Sequence, residues 1–201
     1  MRRPLILAST SPRRAALLRQ IGLPFVVEAP DVDESAWSFR DPAEGARTLA
    51  LQKARAVAAR QTVPGQAVLG ADTIVVLDGR ILGKPDGPDG ARAMLRALGG
   101  RAHRVITGLA LVETGSGRTV QGDEQTTVWM RSLAPEEIEA YLATGEPLDK
   151  AGAYGAQGYG ASFIERVEGC FYNVVGLPLA RLVVMLREFH CSDEMNFDDQ
   201  N

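Results

Sequence analysis

The chain has 201 residues, of which 45% are hydrophobic, so it is long enough to bury a core, and we expect one compact domain. The net charge of −3 and the pI near 5.5 argue against a general nucleic-acid-binding protein, because such proteins are usually strongly basic. Residues 189–201 contain four acidic and no basic side chains, so residues 1–188 carry a net charge of +1. Any positive charge that matters for function must therefore be local.

The distribution of apolar residues and cysteines predicts a cytoplasmic protein. No apolar run approaches the roughly 20 residues of a membrane span. The apolar stretch at residues 5–8 is too short for a signal peptide. Cys170 and Cys191 form no CxxC pattern, so the sequence predicts neither a disulfide framework nor a zinc site. We expect two free thiols and no membrane partner.

The N-terminal part of the chain is predicted to alternate short strands with helices. Residues 5–8 form an apolar run that is typical of a buried strand. Ser11, followed by a proline, suits the N-cap of a helix that ends near Gly22. A second strand fits residues 25–27, and a second helix, with an aspartate at its N-cap, fits residues 41–60.

The rest of the chain continues this alternation. Residues 67–77 have the pattern of a strand buried on both faces, and a tight turn leads to a short returning strand at 80–82. The other predicted elements are a helix at 91–98, hairpin strands at 104–113 and 119–130, a helix from Pro135 to Gly145, a glycine-rich loop at 146–161, a strand at 162–167 and a helix at 178–189. This order predicts a single α/β domain around a mixed β-sheet over residues 1–188, followed by an acidic, disordered tail at 189–201.

The segment Ser9–Arg14 is the first candidate for a functional site. A strand that leads directly into a capped helix presents free backbone N–H groups and the positive end of the helix dipole to an anion. Arg13 and Arg14 lie in the first helical turn, where cations work against the dipole unless a bound anion offsets them. The pattern therefore favours a phosphate-binding turn over an ordinary capped helix with solvated arginines.

Asp72 is the second candidate, because it is a carboxylate inside an otherwise apolar strand. Burying a charge costs free energy unless a metal ion or a cation accompanies it. Asp72 is therefore either a site residue at an open end of the strand or the structural partner of a buried Arg or Lys. Of these two interpretations, the site residue is favoured.

Two further residues carry weaker signals. Lys84 lies in a segment that differs from a P-loop, because only three residues separate Gly79 from Gly83, and Pro85 replaces the Ser or Thr that would hold magnesium. A phosphate contact and a solvated loop lysine remain equal alternatives for Lys84. Glu34 follows the second strand and could supply a metal carboxylate, although locally a solvated acidic loop is favoured.

Together these motifs resemble the Maf family of nucleotide pyrophosphatases, from about Leu5 to about Leu186. The matching elements are Ser-x-Ser-Pro-Arg-Arg at Ser9–Arg14, the helix lysine at Lys53, Gly-Ala-Asp-Thr at Gly70–Thr73 and Lys-Pro at Lys84–Pro85. The segments 149–158 and 168–178 are similar to the branch that acts on dTTP and UTP. The branch that acts on 7-methyl-GTP has a different sequence in this region.

The resemblance implies a fold like that of inosine-triphosphate pyrophosphatases, with an elongated mixed β-sheet flanked by helices, and a homodimer. It implies hydrolysis of dTTP and UTP, and of modified pyrimidine nucleotides, to the monophosphate and pyrophosphate, a house-cleaning role with a link to cell-division arrest. A divalent metal ion, Mg²⁺ or Mn²⁺, would be held by Asp72 and Glu34. Asp72 would also accept the proton of the water that attacks the α-phosphorus.

The resemblance also assigns roles in substrate binding. The residues expected to bind the triphosphate and stabilise the leaving group are Ser9, Arg13, Arg14, Lys53 and Lys84. Arg13, Thr73 and Gln157 are expected to select the base. The carboxamide of Gln157 offers both a donor and an acceptor, which can match the N3–H and carbonyl edge shared by uracil and thymine.

Two other functions would give part of this pattern. A regulatory protein that binds a partner and influences cell division would keep the cationic residues without needing Asp72. An inosine-triphosphate hydrolase would share the fold but should lack the motifs at Ser9–Arg14 and Gly70–Thr73. The carboxylate together with the cations favours an enzyme over the regulatory protein. The choice among dTTP, UTP and modified pyrimidines stays open.

Overall fold

The computed structural model describes residues 4–33 and 39–194, and their side chains as far as Phe189. The expected metal ligand Glu34, the side chain of Cys191 and the end of the predicted tail therefore lie outside the described residues. Cys170 is a free, half-buried thiol, as expected. Among the described residues, no helix is both long enough and apolar enough to cross a membrane.

Strands and helices alternate through most of the described chain. The strands are β1 (Leu5–Ala8), β2 (Phe25–Glu28), β3 (Ala67–Leu77), β4 (Arg80–Leu82), β5 (Ala102–Glu113), β6 (Thr119–Met130) and β7 (Ile164–Glu168). The helices are α1 (Pro12–Gln20), α2 (Pro42–Ala58), α3 (Gly87–Leu98), α4 (Pro135–Ala143), α5 (Phe171–Val175) and α6 (Leu179–Glu194). Short 3₁₀ segments at Glu146–Asp149, Ala151–Ala153 and Tyr159–Phe163 lie between α4 and β7.

The predicted α/β class and mixed sheet are confirmed. Six strands are hydrogen-bonded in the order β2-β1-β3-β5-β6-β7, and β4 pairs with β3. β1 runs parallel to both β2 and β3, whereas β4 and β7 run antiparallel to β3 and β6. The parallel part of the sheet is thus built by strand-helix-strand connections through α1 and α2, as the alternating pattern predicts.

The structure differs from the predicted elements at several places. β5 begins at Ala102 instead of residue 104, and β7 begins at Ile164 instead of residue 162, after 3₁₀ segments in the predicted loop. α3 begins at Gly87 instead of residue 91, because Asp86 takes the N-cap position and a proline follows in the first turn. α5 was not predicted, since five residues are too few to show a helical period. α6 continues to Glu194, so the backbone of the first residues of the predicted tail is helical. The boundary between domain and tail stays a prediction.

The chain forms two compact units. The first consists of described residues within 1–72, 108–123 and 177–201, and the second of residues 73–107 and 124–176. The strands β3, β5 and β6 have residues in both units. In the first unit, α2 packs on β1, β3 and β5 through small and β-branched side chains, among them Ile6, Ala8, Ala50, Ala54, Val57, Val68, Ala110 and Val112.

The second unit has a separate core between α3, α4 and the neighbouring strands. Its buried members are Val75, Leu77, Ala91, Leu95, Leu98, Val105, Val128, Met130, Ile138, Tyr141, Ala153, Tyr154 and Phe163. One polar side chain, His103, is buried beside this core at 3% exposure, with its Nε2 2.7 Å from the hydroxyl of Tyr154. Burial lowers the pKa of His103 to about 4, so the folded protein holds a neutral imidazole at physiological pH.

Replacing His103 with Gln is expected to make the free energy of unfolding less dependent on pH. The folded-state pKa is depressed to about 4 from 6.5, so the unfolded chain binds more protons between these values. Wild-type stability is therefore lost as the pH falls through this window, by up to about 3 kcal/mol from this group. Denaturant unfolding of both proteins from pH 4 to 8 measures how the free energy of unfolding depends on pH. Parallel stability curves for the two proteins would contradict the assignment.

Candidate active site

Ser9 and Asp72 follow neighbouring parallel strand segments in the first unit. β1 pairs with β3 up to Ala8 and Gly70, so Ser9 comes directly after the paired segment of β1, and Asp72 comes two residues after that of β3. Crevices outside the carboxyl ends of parallel strands are where α/β sheets commonly bind ligands. The topology therefore places the two main candidates from the sequence at the same end of the paired segments of β1 and β3.

Ser9 organises the turn before α1. Its Oγ accepts hydrogen bonds from the backbone N–H of Ser11 at 3.1 Å and from Nη1 of Arg14 at 3.2 Å. Both lone pairs of this buried hydroxyl are thereby used, so toward a ligand Ser9 acts as a donor. Ser11 is the N-cap of α1, as predicted, and accepts from the N–H of Arg14. The first turn contains no acidic residue, so Arg13, Arg14 and the helix dipole all contribute positive potential here.

Asp72 forms a buried ion pair with Lys53. Nζ of Lys53 lies 2.6 Å from Oδ1 of Asp72, and the two side chains are 6% and 10% exposed. The ammonium compensates the carboxylate charge, which would be costly to bury alone. Asp72 is therefore the partner of a buried lysine, which was one of its two interpretations. Because Lys53 is itself one of the expected substrate-binding residues, the pair is also compatible with the other interpretation, in which Asp72 is a site residue.

Two glycines allow α2 to carry Lys53 to this position. A Cβ at Gly70 would overlap the carbonyl oxygen of Ala50 and lie 2.9 Å from the backbone nitrogen of Ala54. A Cβ at Gly108, on β5, would likewise overlap the backbone of Ala46. The backbone of α2 thus rests directly on the strands, and side chains at these two strand positions would lift the helix and its lysine away.

In the second unit, Thr73 is held by a buried hydrogen-bond chain. Its Oγ1 lies 2.9 Å from Oγ1 of Thr107, which donates to the carbonyl oxygen of Asn173 at 3.1 Å. Since Thr107 has only one hydroxyl proton, Thr73 must donate to Thr107. Toward a ligand the hydroxyl of Thr73 is therefore an acceptor. Asn173 is fully buried and donates from Nδ2 to Val105 and Thr126.

Lys84 and Gln157 lie on two loops of the same unit. In the antiparallel pair β3 and β4, Val75 faces Leu82, and Lys84 comes two residues after Leu82, the last residue of β4. The loop that carries Gln157 starts near this point, because the N–H of Gly152 donates to the carbonyl oxygen of Gly83 at 3.1 Å. Both Lys84 and Gln157 are exposed.

Residues 4–189 match the protein family described as Maf-like protein. The chain belongs to the Maf family. A relative from Symbiobacterium thermophilum named dTTP/UTP pyrophosphatase is 55% identical over 185 residues, which cover 92% of this chain and 93% of that protein. Relatives of the same name from Moorella thermoacetica and Salinibacter ruber are each 52% identical, over 92% of this chain and 94% and 90% of their own lengths. The family resemblance predicted from the motifs is confirmed.

Among solved structures, the Ham1 protein of Staphylococcus aureus gives a likeness with 16% identity and a TM-score of 0.46. It covers 81% of this chain and 80% of that one. The α/β class of this Maf chain rests on its own strands and helices.

The structure groups four of the Maf motif residues in two pairs, Ser9 with Arg14 and Lys53 with Asp72. Thr73 lies on β3, and Lys84 follows β4, which pairs with β3. Arg13 is half-buried on α1, Gln157 lies exposed on its own loop, and Glu34 lies outside the described residues. The functional role of each residue stays a prediction.

Sequence reasoning missed the residues that support these pairs. Gly70 and Gly108 lie in strand patterns where a glycine signals a close backbone approach, and that signal was available. Thr107 is a polar residue in an apolar strand, which gave a weaker signal of the same kind as Asp72. Asn173 belongs to a short helix that the sequence pattern did not reveal.

A Gly70→Ala substitution is expected to destabilise the protein by about 1–3 kcal/mol, because the added methyl group overlaps the backbone of α2, which cannot yield as a side chain would. Gly83→Ala is the matched control, since no atom lies within 4 Å of its Cβ position and its φ is not positive. Denaturant midpoints measure both variants. Equal stability of the two would show that α2 does not depend on close contact with β3.

Proposed function

We propose that this protein is a nucleoside triphosphate pyrophosphatase that hydrolyses dTTP and UTP, and modified pyrimidine nucleotides, to the monophosphate and pyrophosphate. Water would attack the α-phosphorus, and the bond from that phosphorus to the oxygen bridging to the β-phosphate would break. The observation that carries the proposal is the buried Lys53–Asp72 pair, just beyond the segments in which β1 and β3 pair with each other. The names of the Maf relatives at 52–55% identity support the substrate class.

The triphosphate would bind to positive charge and hydrogen-bond donors on the first unit. The helix N-terminus at α1, the hydroxyl proton of Ser9 and the guanidinium groups of Arg13 and Arg14 favour phosphate oxygens. Lys84 is proposed as a further phosphate contact, in agreement with its exposed position on a short turn. These donors would also stabilise charge that develops on the leaving pyrophosphate.

Asp72 would accept the proton of the attacking water. The neighbouring ammonium of Lys53 holds the carboxylate at Oδ1 and would add positive charge near the reacting phosphate. Because its carboxylate is buried and paired, Asp72 has a fixed position, which the attack of water on the α-phosphorus requires of a proton acceptor.

A divalent metal ion is proposed as the cofactor. Among the described residues, no group of three or more His, Cys, Asp or Glu side chains is placed to hold a metal ion, so the substrate would have to supply ligands as well. Magnesium sites in enzymes of this kind of chemistry commonly use one or two carboxylates together with substrate phosphates and waters. Asp72 would supply one carboxylate, and Glu34 is proposed as the second. When bound, Mg²⁺ or Mn²⁺ would polarise the phosphate oxygens and acidify a water molecule.

Base selection is proposed for Thr73 and Gln157. Uracil and thymine present a donor at N3 between two carbonyl acceptors, whereas cytosine has no N3–H. The acceptor character of Thr73 and the donor-acceptor pair of the Gln157 carboxamide match the first pattern. A paired polar site discriminates strongly, since the wrong base leaves buried groups without partners.

We further propose a cytoplasmic homodimer that removes pyrimidine triphosphates from the nucleotide pool, as the family resemblance implies. A link to cell-division arrest would act through this hydrolysis.

The decisive experiment is pyrophosphate release from dTTP, UTP, CTP, GTP, 7-methyl-GTP and ITP with Mg²⁺ or Mn²⁺, repeated with a chelator. We expect release from dTTP and UTP alone, and none with the chelator, because the base and the metal each contribute required contacts. Release from ITP or 7-methyl-GTP would contradict the substrate class. Binding of a nucleotide without release from any would favour a regulatory protein.

Asp72→Asn is expected to lower kcat for dTTP by about 10²–10⁴-fold, because the proton acceptor is lost while the residues that bind phosphate remain. The dissociation constant of the nucleotide should change much less. Asp89→Asn is the control, since its side chain is 96% exposed and lies on α3. Rapid-quench kinetics and calorimetric titration measure the two quantities. Unchanged turnover in Asp72→Asn would contradict the mechanism.

A further inference from the structure

The carboxylate of Glu146 lies inside the loop that carries Gln157. Oε2 accepts the backbone N–H of Tyr159 at 2.9 Å, and Oε1 accepts the N–H of Gly160 at 3.3 Å. Oε1 also accepts the hydroxyl of Tyr141 at 2.9 Å. The side chain therefore ties the C-terminal flank of Gln157 to the end of α4.

Tyr141 ties down the other flank. Its hydroxyl donates to Glu146 and accepts the N–H of Gly155 at 3.1 Å. The ring is buried in the core of the second unit, edge to face with Phe163 at a centroid distance of 4.9 Å. Burial raises the pKa of Tyr141, so its hydroxyl stays protonated and remains a donor. The backbone on both sides of Gln157 is thus held by Glu146 and Tyr141, which are hydrogen-bonded to each other.

The glycines of this loop are explained by the same carboxylate. A Cβ at Gly155 would lie 2.7 Å from Oε1 of Glu146, and a Cβ at Gly158 would overlap the carboxylate. A Cβ at Gly160 would lie 2.7 Å from the hydroxyl of Tyr141. The backbone therefore wraps closely around Glu146 and Tyr141, and the glycine-rich composition follows from this enclosed acid rather than from a phosphate-binding turn.

We propose that Glu146, with Tyr141, is a positioning residue for pyrimidine recognition: it fixes the loop from Gly155 to Gly160 so that the carboxamide of Gln157 meets the base in one orientation. This inference rests on the proposed function. Hydrogen bonds from backbone N–H groups to a charged acceptor are stronger than those between neutral groups. A carboxamide selects a base only if its donor and acceptor are held against rotation, which a loose glycine loop would not do.

The test compares Glu146→Gln with Gln157→Ala, and uses Glu136→Gln as the control. Glutamine keeps the size of Glu146 but turns one acceptor oxygen into a donor, so one loop N–H faces another donor. Glu136 is exposed on α4. Amide hydrogen exchange at Tyr159 and Gly160, followed by NMR, should rise about tenfold in Glu146→Gln. It should stay unchanged in Glu136→Gln.

The ratio of kcat/KM for UTP to that for CTP should fall about tenfold or more in Glu146→Gln, toward the value for Gln157→Ala. The loss should lie mainly in KM for UTP. The inhibition constant of pyrophosphate should stay within about twofold of wild type, which general structural damage would not allow. Tyr141→Phe, which removes only the hydroxyl, should raise exchange at Gly155 and lower the same ratio, so the test survives if Glu146→Gln does not fold.

Faster exchange with unchanged base selectivity in an active enzyme would overturn the role of Glu146 in recognition and leave the proposed function standing. Unchanged amide exchange at Tyr159 and Gly160 would overturn the proposal that Glu146 fixes the loop. Wild-type protein that releases no pyrophosphate from UTP or dTTP would overturn the proposed function, and the role in recognition with it. The exchange data would then still show whether Glu146 fixes the loop.

Discussion

The close contact between α2 and the strands beneath it is the constraint on which the candidate active site depends. Lys53 reaches Asp72 because glycines at 70 and 108 let the helix backbone touch the sheet. Without the lysine, the carboxylate would be buried without compensation, and such a charge is normally avoided by protonation or rearrangement. Two residues without side chains thus allow the helix to place its lysine beside this buried acid.

The positive potential at the N-terminus of α1 likewise calls for a compensating charge. Arg14 is oriented by the hydroxyl of Ser9, although it lies in a helical turn whose dipole disfavours cations. An anion bound at the helix N-terminus would remove this conflict, whereas a solvated turn would leave it in place. Because the body of the chain is near neutral, the positive charge at α1 is a local feature, which suits a small polyanion better than an extended nucleic acid.

Much of this arrangement could be predicted from the sequence. Local signals, such as the N-cap Ser11 and the apolar strand at 67–77, gave the elements with small errors at their ends. The polar residue in an apolar strand pointed to Asp72, and the family motif pointed to Lys53. Their pairing could not be derived from either segment alone, because it depends on where α2 rests on the sheet. The short helix α5 was missed because five residues are too few to show a helical period, and its buried Asn173 is fixed by contacts with distant strands.

The loop from Gly155 to Gly160 shows why a glycine-rich composition alone does not identify a phosphate-binding loop. A glycine-rich segment is commonly interpreted as a backbone that approaches a phosphate, because an N–H cradle needs the same lack of side chains. Here the backbone N–H groups point to an acid of the protein itself, Glu146, which takes the place that an anionic ligand would occupy. The N–H groups of Gly155, Tyr159 and Gly160 are already used and cannot also bind phosphate. This distinction supports the proposal that the loop presents the side chain of Gln157 to the base.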